Sequence, residues 1–73
     1  MNGEEIKALR DFLGESQTDF AKRIPTSYVI VGRWERGLSV PRQIYMKKLL
    51  EIRLKEAPQL ITTNELTYEK TEV

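Results

Sequence analysis

The chain has 73 residues, with 12 Lys and Arg against 11 Asp and Glu, and no histidine or cysteine. That length supports one small domain with a marginal core. The absence of His and Cys removes the usual general base, thiol nucleophile, zinc cluster and disulfide staple, so the expectation is a non-enzyme with no catalytic residue, no metal site and no cofactor.

No apolar run approaches a bilayer span, and the opening Met1-Asn2-Gly3-Glu4-Glu5 is acidic where a signal peptide is basic, so no membrane partner and a cytoplasmic location are expected. Ile6, Leu9 and Leu13 recur at helical spacing and predict an amphipathic first helix over about 3–13, ended by Gly14. Ser16 is a good N-cap for a second helix, with Asp19 three residues on in a capping-box-like relation. Phe20, Ala21 and Ile24 form its apolar stripe, and Pro25 stops it.

The stretch Tyr28-Val29-Ile30-Val31 carries strand-like residue types. It does not alternate, however, and no second strand of matching character exists to pair with it. A third helix over 27–36, capped by Thr26 or Ser27, is preferred, with Val31 and Trp34 inward. Tyr28, Val29, Gly32, Arg33 and Arg36 then face outward, and Gly32 costs roughly 1 kcal/mol against alanine. Gly37 to Val40 is a turn, and Pro41 fits the first turn of a fourth helix running to about residue 56. The apolar positions of that helix, Ile44, Tyr45, Met46, Leu49, Leu50, Ile52 and Leu54, spread over a wider arc than one core contact needs. The domain is placed at 1–57. Residues 58–73 form a threonine-rich tail, expected to be disordered or an arm exchanged between subunits.

The near-neutral total conceals a pattern. Residues 1–21 hold two basic and five acidic side chains, residues 22–55 nine and two, and residues 56–73 one and four. A basic middle between acidic ends fits a polyanion footprint, although Lys47 and Lys48 read more simply as a solvated helix face.

The stretch IKALRDFLGESQTDFAKRIPTSYVIVGRWERGLSVP resembles the phage-repressor and Cro-type helix-turn-helix family, the lambda repressor-like or XRE group. The resemblance rests on Leu9 and Arg10, Gly14, Ser16-Gln17, Phe20-Ala21, Val31, Trp34-Glu35-Arg36-Gly37 and Pro41, spaced without a gap over about half the chain. The opening also resembles the helix-turn-helix halves of some antitoxin-type regulators.

That resemblance implies an all-α bundle of four to five helices containing a helix-turn-helix, with double-stranded DNA as the partner. By position, Tyr28, Val29, Gly32 and Arg33 would face bases, with Arg33 forked onto a guanine edge and Val29 against a thymine methyl. Gln17, Ser27, Arg36, Ser39 and Arg42 would meet phosphates. Arg10 and Glu35 would form an ion pair joining the first helix to the end of the third. The sequence departs from the family at Pro25, where glycine is usual, and lacks the polar residues common at Ile30 and Gly32, so readout is expected to lean more on shape and phosphates.

The leading expectation is a transcriptional regulator, a repressor, acting on the nucleoid as a homodimer through helix 41–57 and the tail. The alternative is an antitoxin-like or anti-repressor module whose task is to occupy a protein partner. Salt dependence separates them, because phosphate contacts weaken steeply with salt and apolar contacts do not.

Overall fold

A computed structural model describes residues 1–61. Its elements are α1 (Gly3–Leu13), α2 (Gln17–Arg23), α3 (Tyr28–Glu35), α4 (Gln43–Glu56) and a 3-10 turn at Pro58–Leu60. The architecture is an all-helical globule, with no strand among the described residues.

Each of the first three helices starts where a side chain accepts from its free amides. Asn2 accepts from Glu5 N while the Glu5 carboxylate accepts from Asn2 N, a complete capping box that the N-x-x-E spacing signals. Ser16 caps α2 by accepting from Asp19 N at 3.1 Å. Asp19 does not return the contact, so the expected box is only half formed. Ser27 Oγ accepts from Ile30 N and opens α3, which settles the strand-like stretch as helix. Gly14 closes α1 in the left-handed region at φ 69°. Between α2 and α3 the chain turns through a cis Ile24–Pro25 peptide, and Thr26 N donates to Ala21 O.

The core is Ile6, Leu9, Phe20, Ala21, Ile24, Val31, Trp34, Leu49, Ile52 and Ala57. It draws on all four helices, so none is a complete unit alone. Trp34 also meets Tyr45 of α4, with ring centroids 5.7 Å apart and tilted by 48°. Gly3 lets α1 seat on the end of α3. A Cβ there would lie 2.3 Å from Trp34 O and 2.8 Å from Glu35 O.

Two boundaries differ from the sequence reading. Helix α4 starts at Gln43 rather than Pro41, because Arg42 keeps the extended ψ of 158° that marks an N-cap and Pro41 is buried before it. The packed body extends beyond residue 57, because Pro58–Leu60 turns back and Leu60 packs against the core. The expectation of a disordered tail or exchanged arm falls, from residue 62 onward, outside the described residues. Ile30 is half-buried against the core.

Candidate nucleic-acid interface

Helix α3 presents one face to the core and one outward. Val31 and Trp34 are buried, while Tyr28, Val29, Arg33 and Arg36 are exposed. Val29 and Arg33 are one turn apart on the same outward face.

The sign of that face is set by a network below it. Glu35, the only acidic residue of α3, is held by Arg10 through two hydrogen bonds, Nε to Oε2 at 2.7 Å and Nη2 to Oε1 at 3.1 Å. Gln17 Nε2 adds a third at 3.1 Å to Oε1, and the Glu35 side chain is left 4 % exposed. Hydrogen bonding to Glu35 raises the Arg10 guanidinium above its ordinary value, against the opposing effect of burial. Arg10 Nη1 also donates to Glu15 O, tying α1 to the start of α2. The expected Arg10–Glu35 pair is therefore present, and Gln17 belongs to it.

The outward cations are arranged differently. Arg33 and Arg42 make no hydrogen bond or ion pair among the described residues, and both line a cleft floored by Ile30, Trp34 and Tyr45. Ser39, half-buried, lies on the same cleft. Arg36 Nε donates back to Gly32 O at 3.2 Å, which holds the guanidinium over α3. Gln17, Tyr28, Val29, Gly32 and Arg36 line a second, shallower depression on the other side of the α3 ridge. Among the described residues no side chain caps the N-terminus of α4, where Arg42 stands, and while Tyr45 N donates to Arg42 O, the amides of Gln43 and Ile44 face outward from the helix start, where an anion can meet them.

Two expected contacts need correction. Gly32 is buried, because the Gln17 amide lies across it; an added Cβ would meet that amide at 3.6 Å. It forms the floor of the depression and presents no surface of its own to a base. Gln17 has one amide N–H committed to Glu35, leaving the other N–H and its carbonyl oxygen as what it can offer a phosphate. Ser27 is exposed with its oxygen accepting from Ile30 N, which leaves its O–H free to donate outward.

The basic middle is also smaller than the charge tally implies. Arg23 bridges Glu15 and Glu56, and these contacts, Glu15 first, raise its guanidinium above the ordinary value. Arg53 is buried, with Nη1 3.6 Å from the Glu5 carboxylate. Both cations hold helices together. Spacing along the sequence does not reveal these long-range pairings.

On α4, Leu49 and Ile52 face the core, whereas Ile44 is 74 % and Leu54 64 % exposed, with Leu50 beside Leu54 one turn back. Lys47 and Lys48 are exposed on the same helix. No helix among the described residues is long and apolar enough to cross a membrane. No protein-family model, curated protein or solved structure matches the chain.

Proposed function

We propose that this chain is a sequence-specific DNA-binding transcriptional regulator, a repressor of the lambda repressor-like kind, working on the nucleoid by laying α3 in the major groove. The observation that carries the reading is the composition of the outward face of α3: Arg33, unpaired among the described residues, neighbouring Arg36 and Arg42, and exposed Tyr28 and Val29, with the only acidic side chain of the helix sequestered beneath. A face with cations free and anions removed is suited to phosphates, and its two apolar residues are suited to base methyls and sugars. The open N-terminus of α4 beside Arg42 adds a second place for a phosphate.

One recognition helix buries too little surface for tight binding, so the working form is a dimer on two half-sites about one helical turn apart. The exposed Leu50 and Leu54, one turn apart on α4, are the surface assigned to that dimer. The same leucines favour the second reading, a module that occupies another protein.

Selection of duplexes from a random pool, followed by anisotropy titration over a salt series, tests the proposal. The expected result is a palindromic motif bound with a steep salt slope, which Arg42→Gln lowers by about one while leaving sequence preference intact. Arg33→Gln should instead relax preference at one guanine, costing about 1–3 kcal/mol. Absence of any selected motif, or salt-insensitive binding, defeats the DNA reading and favours the protein module.

A further inference from the structure

We infer that the site reads a C5-methylated pyrimidine beside a guanine, so that 5-methylcytosine substitutes for thymine and binding responds to cytosine methylation. The inference rests on the DNA reading above and narrows its ligand.

The face of α3 carries few groups able to read a base edge. Adenine is ordinarily read by the forked amide of Asn or Gln, and the cytosine amino group by a carboxylate. No Asn or Gln lies within α3; Gln17 of α2 keeps one N–H and its carbonyl oxygen, but it is half-buried, laid across Gly32 and tied to Glu35, so it stands back from the exposed Val29 and Arg33. The only carboxylate of the helix is covered at Glu35. Arg33, without a partner among the described residues, remains as a fork for guanine O6 and N7, and Arg36 is drawn back over its own helix by its bond to Gly32 O.

What stands beside Arg33 on the outward face is Val29, 51 % exposed, with Ile30 turned into the core. An isopropyl group can recognise only apolar surface, and in the major groove that surface is the pyrimidine C5-methyl. The polar groups beside Val29 are the hydroxyls of Ser27 and Tyr28, each able to donate or accept and so not bound to tell thymine O4 from the cytosine amino group; exchanging a thymine–adenine pair for 5-methylcytosine–guanine therefore keeps the recognised feature. Losing the methyl loses it.

The test uses the duplex obtained from the selection. Each thymine is replaced in turn by uracil, and the sensitive position also by cytosine and by 5-methylcytosine with guanine opposite. The wild-type chain should bind about fourfold more weakly when one particular methyl, next to a guanine, is removed, the effect of burying one such group. Unmethylated cytosine should show the same loss and 5-methylcytosine should restore it. Val29→Ala, a change at an exposed site whose helix content and melting curve verify the fold, should bind methylated and unmethylated duplexes alike. The inference is overturned if no uracil substitution weakens binding, if 5-methylcytosine fails to restore it, or if Val29→Ala keeps the full methyl preference. Those failures occur on a duplex that still binds, so they are distinct from failure to select any duplex, which removes the underlying reading as well.

Discussion

At the scale of single residues, the Arg10–Glu35–Gln17 network and two glycines decide most. Glu35→Ala would leave the Arg10 guanidinium, with a side chain only 13 % exposed, without its two short bonds, Asp11 at 3.7 Å being the carboxylate that remains. Losing two charge-assisted hydrogen bonds at a nearly buried cation should cost about 2 kcal/mol, read as a lower urea midpoint at unchanged slope. The folded-state value of Arg10 lies above its ordinary one, so its contribution is present at all pH below the ordinary arginine value and is lost only as pH rises through the still higher folded one. No change from this group is expected between neutral and mildly alkaline conditions. Glycines 3 and 32 should respond oppositely to alanine. At Gly3 the new methyl collides with the carbonyls that end α3, and about 1–3 kcal/mol of overpacking is expected. At Gly32 the methyl meets the Gln17 amide at ordinary contact distance, so the helix-propensity gain of up to about 1 kcal/mol should survive. Paired thermal melts of the two variants check the contrast.

At the scale of elements, the helix starts were the most legible part of the sequence, because caps act within a few residues. Ser16 and Ser27 sit where their hydroxyls meet the third amide onward, and the Asn2–Glu5 spacing carries the same message. Ser27→Ala should cost about 1 kcal/mol in stability through loss of that cap. On the DNA reading it should also weaken binding without changing the preferred motif, a combination that melting and anisotropy together resolve. The identity of α3 as a helix was legible from Val31 and Trp34, one turn apart and both buried. Its covered glycine was not, because Gln17 belongs to another helix and reaches Gly32 only after folding. The same holds for Arg53 and Arg23, whose carboxylate partners include Glu5 and Glu56, both distant in sequence. The start of α4 was misplaced because a proline that suits a first turn also suits the extended residues before an N-cap.

At the scale of the whole molecule, the exposed leucines of α4 and the cationic face of α3 divide the surface between two tasks. Leu54→Glu should shift a dimer toward monomer mass in sedimentation while leaving the helical content intact, because Leu54 lies outside the core. If Leu54 has no part in association, the mass will not change. The fold also gives Arg10 a role out of proportion to its position. It stands on the first helix, 25 residues away in sequence, yet it covers the carboxylate at the end of α3. On the DNA reading, Arg10→Met should strand the buried Glu35 carboxylate, lowering stability by about 3 kcal/mol and weakening duplex binding by the chain that remains folded, and Glu35→Gln should act as its genetic suppressor, restoring affinity without restoring the bond. A mutational search for lost binding would then find a hit far from the groove, and its rescue would identify the unmasked charge as the cause.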